Sequence, residues 1–565
     1  YQALKANTTG GLNVAVGASS LDANTTGHSN NALGNSTLSA NTTGIKNTAM
    51  GHAALGTSTT ANNNTAFGYA ALFLNTTGTQ NVAVGANALD ANTTSSNNTA
   101  IGHAAMTDAN GAVDSVAVGS EALANVTTGD FNVGVGFQAL KTITTSGNCV
   151  AVGYQALENN TASNNTAVGF NALSANTTAS SNVAVGFAAL DQNTTGDSNT
   201  GIGRDSLGNN TTGDYNTAIG RDALSDNSTA DNNTAVGYRS LYLNTTGANN
   251  VAVGSKALDA NTTGGSNTVV GDQSLSENTT GGSNTAVGQG ALFANTTASN
   301  NTAVGKDALV ANTTGADNVA IGANALDGNT TGSDNVAVGK SALNNLTTNN
   351  GNVAVGHNSL ASLVNGTGNT ALGDRTLEDN TAEHNTALGY FALLNNTSGT
   401  SNTAIGSGAL DANTTSSNST AIGFNSLTNS TGANNTAVGY KSLESNTTGT
   451  ENVAVGTGAL TSNTSAQGIT AIGKDALNDN TTGATNTAVG FQALTSNTTG
   501  SENTAVGYEC LEDCTTGTRN TAIGRIALRE LTTGELNTAV GREAGRDMTT
   551  GDFNTFLGRS AGEQM

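Results

Sequence analysis

Five histidines, three cysteines and a recurring Asn-Thr-Thr are where chemistry would have to reside in this chain. His28, His52, His103, His357 and His384 are scattered. Only His52, His103 and His357 share a register in the repeat described below, several repeats apart, too far to ligate one metal ion. Cys149, Cys510 and Cys514 are too few for a disulfide framework. Cys510 and Cys514 stand close enough in sequence for a redox bridge, although plain thiols fit equally. The glycines recur singly and do not cluster as a phosphate-cradling loop between a strand and a helix. No GGxGxD run marks calcium-binding coils. The sequence therefore predicts no enzyme, no metal and no cofactor.

What positions these residues is a short period. Residues 250–271 read NVAVGSKALDANTTGGSNTVVG, and the same frame fills the chain. The glycine that closes NVAVG recurs from Gly17 to Gly558, 33 times. Of the 32 intervals, 29 are 17 residues and three are 16. A period this short predicts stacked coils, a solenoid, over 1–565 as a single repeat domain. The short copies lose a residue between the Leu and the next strand, as in LENNTASNNTAVG (157–169), so NTTG reads as a turn and NTAVG as a strand.

The repeats tabulate their own permitted substitutions. The residue before the glycine is Val, Ile, Leu or Met, with Phe67 once; two before that stands Thr or Val, with Asn31 once. Alternation puts these two on one strand face, which hydrophobicity assigns to the coil interior. The Ala between them (Ala15, Ala49, Ala252) then faces out, and a small apolar outer face suggests lateral packing against another chain. Leu, four after the glycine, is read as a second inward layer on a short second strand.

NTT is also an N-glycosylation acceptor pattern. Copies that lack this Asn carry, among others, Ser58, Ala109, Val126, Ile143, Leu346, Leu363, Cys514, Leu531 and Met548, none of them charged. A solvated turn would not select that set, so the column reads as buried and amide-bonded from coil to coil. A second Asn column stands four before the glycine. The expected asparagine ladders include Asn244 and Asn261 in the first column and Asn13, Asn47, Asn250 and Asn267 in the second.

Variation concentrates just after the glycine. Tyr69, Phe137, Tyr154, Phe170, Phe187, Tyr238, Tyr390, Phe424, Tyr440, Phe491 and Tyr508 stand there, with Arg204, Arg221, Lys306, Lys340 and Arg525 in the same column. These are residue types of recognition surfaces, and the column is the candidate interaction stripe. The plainer reading stacks the aromatics over neighbouring turns and pairs the cations with nearby carboxylates.

Composition narrows the classes. The chain has 565 residues, a net charge of −22, no Pro and no Trp. Proline lacks the N–H a ladder needs, so its absence suits a backbone bonded throughout. The acidic balance argues against nucleic acid, and no 18-residue apolar run inserts into a membrane.

NVAVGSKAL and NTAVGYRSL resemble the head repeat of YadA-like trimeric autotransporter adhesins and the arrays of tail-fibre-like proteins. The resemblance implies an all-β, left-handed parallel β-roll, three chains side by side, exposed on a cell or virion surface and binding host surfaces. The repeat here is about three residues longer than that family's, and no stalk heptads or membrane anchor are visible. The expected function is a structural extracellular fibre or adhesin shaft that self-associates as a trimer or filament. A host-surface, matrix-protein or glycan ligand would fit. The alternatives are a phage receptor-binding shaft or an ice-binding solenoid; adjacent turn threonines, unlike T-x-T along a strand, count against the last. The last coils drift, with Gly545 and Gly562 for Leu and Phe556 for Ala, which suggests an internal piece of a longer fibre.

Overall fold

The computed structural model describes residues 2–564 and divides into two units, Tyr1–Ser283 and Asn284–Met565. Both are all-β parallel solenoids. The first holds the three-residue strands β1 (Val14–Val16) to β16 (Thr268–Val270), the second β17 (Thr285–Val287) to β33 (Thr555–Leu557), one strand per coil. Within a unit each strand pairs in parallel with the next at the same repeat position, as Val251↔Thr268, Ala252↔Val269 and Val253↔Val270. The 16-residue coils keep this register, as Thr166↔Val150 shows. The residue they lack comes out of the turn, as the sequence requires.

The corner glycine is obligatory. At Gly254, φ is +141°, and an added Cβ would lie 2.3 Å from the carbonyl oxygen of Gly271 in the next coil. No L side chain fits a site that combines this dihedral with so close a backbone approach.

Two expectations fail here. The segment through AL is no strand: successive turns follow the glycine. Its backbone alternates in handedness, with Lys256 at φ +52° and Leu258 at +56°. It still ladders, because Leu258 N–H donates to Ser274 O at 3.0 Å in the following coil, while Lys256 N–H donates to Tyr238 O at 2.8 Å in the preceding one. Leu disfavours the left-handed region. It adopts it here because that conformation carries the side chain into the core, where Leu258 is fully buried.

The strand faces are also opposite to the expectation. Ala252 is fully buried, whereas Val251 and Val253 are 37% and 36% exposed. The same pattern, a buried centre between exposed or half-buried neighbours, runs through nearly every strand. The reason is the thickness of the coil. At Gly134, which stands in the Ala column, an added Cβ would already lie 3.2 Å from Leu123 Cγ. The sheet thus packs directly on the Leu column, with room for a methyl group in nearly every coil and for a larger aliphatic group once, at the fully buried Val269. Hydrophobicity would favour Val inside; the narrow interior selects Ala in most coils.

The drift in the last coils follows the same rule. Cβ atoms added at Gly545 and Gly562 would come within 2.7 Å and 2.3 Å of the Phe556 ring. Phe556 occupies the volume two leucines give up, a size-conserving exchange.

Candidate functional site

Both Asn columns are interior. In the first, Asn261 Nδ2 donates to Asn244 Oδ1 of the preceding coil at 2.8 Å and to Gly264 O of its own turn at 2.9 Å. Asn244 does the same toward Asn227 and Gly247. The second column bonds side chain to backbone. Asn250 Oδ1 accepts from Asn267 N–H at 2.9 Å, and Asn250 Nδ2 donates to Gly264 O at 2.9 Å. Asn13 and Asn47 are held the same way, donating to Gly27 O and Ala61 O, each at 2.8 Å. Asn267 completes the set, donating to Gly281 O at 3.0 Å. The uncharged replacements are buried as well, among them Val126, Ile143 and Leu346.

A third ladder escaped the sequence reading. The first Thr of NTT donates its hydroxyl to the same position of the next coil, as Thr245 to Thr262 O at 3.0 Å. In this coil only the second Thr, Thr246, is exposed. The signal was present in the tripeptide, but a Thr that bonds and a Thr that is solvated look alike in one sequence.

The first ladder also shows what its interruptions do. Asn41, Asn92, Asn329 and Asn497 each have a buried Oδ1 with no partner. One coil on from these stand Ser58, Ala109, Leu346 and Cys514. None of the four brings an amide donor to the orphaned oxygen. At Asn413, followed by Ser430, the oxygen instead accepts from Ser416 N–H at 3.2 Å.

The stripe after the glycine lies outside. All of its candidate residues are exposed except Phe491, which is half-buried. Phe137, Tyr154, Phe170 and Phe187 stack in consecutive coils, ring centroids 5.3, 5.0 and 5.2 Å apart. Arg204 caps this run over Phe187 at 5.8 Å, and Arg221 lies over Tyr238 at 5.7 Å. In the second unit Phe424 stacks on Tyr440 and Phe491 on Tyr508, with Arg525 over Tyr508 at 5.5 Å. Tyr69 stacks on His52, and Tyr390 on Phe391. Arg204, Arg221 and Lys306 pair with the adjacent Asp205, Asp222 and Asp307. Exposed pairs of this kind stabilise by well under about 1 kcal/mol each. They do neutralise these three cations, and each stacked ring gives a face to its neighbour. Lys340 stands exposed in the same column.

The cysteines are free and buried. Burial pushes the Cys510 thiol up to about 12 and that of Cys514 to about 11, far from the thiolate a nucleophile or metal ligand needs. Among the described residues no three metal-binding side chains gather, and no helix is long and apolar enough to cross a membrane.

The feature that sequence reasoning placed on the wrong side is the outward sheet face. Two files of side chains flank the buried Ala: Thr or Val, with Asn31 once, in one, and Val, Ile, Leu, Met or Phe in the other. None of the 18 Lys and Arg or 40 Asp and Glu stands in either file. Fold and surfaces together define a parallel β-solenoid of 17-residue coils, closed inside by asparagine ladders. No protein-family model matches the chain, and a comparison with curated proteins gives no match either.

Proposed function

We propose that the chain is a non-catalytic structural shaft, part of a fibre exposed outside a cell or on a virion, which associates with itself and attaches to surfaces. The observation that carries this reading is the use made of the interior. Every inward column bonds or packs one coil onto the next and stays uncharged where it varies, and charge is confined to outward ranks. Such a chain spans distance and repeats one surface many times, which is what a shaft must do. The resemblance of NVAVGSKAL to adhesin head repeats points the same way, toward a host-surface, matrix-protein or glycan ligand. Two measurements test the reading. Electron microscopy of the full chain should show elongated particles, and beads carrying it should be retained on cells or matrix. Compact particles would overturn the shaft; beads that no cell or matrix surface retains would overturn attachment.

One observation favours a second reading. Thr217 and Ile219 face out together from one strand, in line with Thr234 and Val236 of the next coil. Regular outward Thr and aliphatic files are what an ice-binding face requires. Thermal hysteresis of the purified chain tests it.

A further inference from the structure

We propose that the outward sheet face is a docking surface for a second copy of this chain. The inference rests on the shaft reading, since it supplies that shaft with its partner. In the first unit the face runs over sixteen strands. A Val side chain carries on the order of 100 Å² of apolar surface, so two files at the exposure of Val251 and Val253, near the upper end for this face, leave at most about 1,000 Å² uncovered. Monomeric soluble proteins rarely expose apolar patches beyond about 300–600 Å², and a stable interface needs about 800 Å² from each partner.

Charge and period narrow the occupant. The chain carries a net charge of −22, so contact between copies through most surfaces brings like charges together. The two files escape this repulsion, being free of charge throughout, and unlike the equally uncharged Thr ranks of the turn they offer aliphatic side chains to bury. Their rungs repeat at about 4.8 Å, the spacing between hydrogen-bonded strands. A rigid partner keeps register along sixteen rungs only if it has the same repeat, and a second copy has it by construction. Toward the beginning of the first unit the files carry larger side chains, Leu33, Met50 and Phe67, all exposed.

The full chain with Val185→Lys, Ile219→Lys and Val253→Lys tests this. The three positions lie on one file in alternate coils, so the introduced charges do not stack on one another. Sedimentation equilibrium should show the native chain associated at micromolar concentration and the variant weakened about a hundredfold. Circular dichroism and amide exchange of the Asn columns should be unchanged. A control carrying Lys at the exposed Thr229, Thr246 and Thr263 of the turn should associate like the native chain. Should the Lys variant lose its fold, Ser at the same three positions gives the comparison with an expected shift of about tenfold. A native chain that stays monomeric, or a folded variant that associates unchanged, overturns the proposal. Hysteresis shown by a monomeric native chain and lost in the variant overturns it in favour of ice. A monomeric chain that is elongated and still adheres overturns the docking surface and the self-association it serves, and leaves the non-catalytic, adhering shaft standing.

Discussion

The NTTG corner and the outward sheet face are built by the same repetition and end in opposite states. At the corner, Asn261 has Asn244 below it at 2.8 Å and Asn278 above it at 2.8 Å, so each coil satisfies its neighbour. On the sheet, Val253 also has its own kind above and below, yet the stack cannot cover the side that points away. Repetition along one axis closes what points inward. What points outward it multiplies without covering. The lesson is energetic as well as geometric: a polar group inside a solenoid depends on the next coil, as the four orphaned oxygens beside ladder breaks show.

The largest expected effect breaks the contrast at its centre. Ala252→Glu places a carboxylate at a fully buried site against the Leu column. It should cost about 3–5 kcal/mol and open the coils around it. Val253→Glu, one residue on, should leave the stability of an isolated chain within about 0.5 kcal/mol. Amide exchange of strands β14 (Thr234–Val236) to β16 reads both; equal effects would mean that the strand faces are assigned wrongly.

At the corner, Asn261→Asp replaces a donor by an oxygen facing Asn244 Oδ1 and Gly264 O, and should cost about 3 kcal/mol. Asn261→Leu leaves Asn244 Oδ1 orphaned, as Leu346 leaves Asn329, and takes one of the two acceptors of Asn278 Nδ2, which keeps Gly281 O; it should cost about 1–2 kcal/mol. A Leu variant less stable than the Asp variant in exchange measurements would contradict the burial of this column.

Repair sharpens the same point. Ser58→Asn offers a donor to the orphaned Asn41 Oδ1 and an acceptor to Asn75, and removes a buried Ser58 hydroxyl that has no partner. It should stabilise its neighbourhood by about 1 kcal/mol, read as slower exchange at residues 41–75. Unchanged or faster exchange would show that the ladder is not limited by its breaks.

The smallest effect concerns the rim of the coil. Burial raises the pKa of Asp191 above its usual value, as it does for Asp90, Asp327 and Asp411. A raised folded-state pKa means the ionised form weakens the fold. That penalty is complete above the raised pKa and disappears below the unfolded value of 3.8. Asp191→Asn should therefore be slightly more stable than the native chain at neutral pH, with the difference gone near pH 3. A difference that grew on acidification would mean the carboxylate is stabilising.

Much of this fold was legible before any coordinates. The period, the turn that tolerates a missing residue and the inward Leu all follow from 33 copies varying under one constraint. The burial of NTT was readable because Val126, Ile143 and Leu363 betray the environment of the Asn they replace. The candidate stripe was legible as exposed, but its stacked rings and its pairing with Asp205 or Asp222 were not, since those depend on what stands one coil away.

Which side of a three-residue strand faces in was decided only by the tertiary structure. Alternation gives two faces and no preference between them, and apolarity pointed to the larger pair, Val251 and Val253. The gap between the sheet and the Leu column is filled by a methyl group in nearly every coil, as at Ala252, with the buried Val269 the exception. Interior width is a property of the closed coil, present in no single residue, so the bulkier side chains are turned outward.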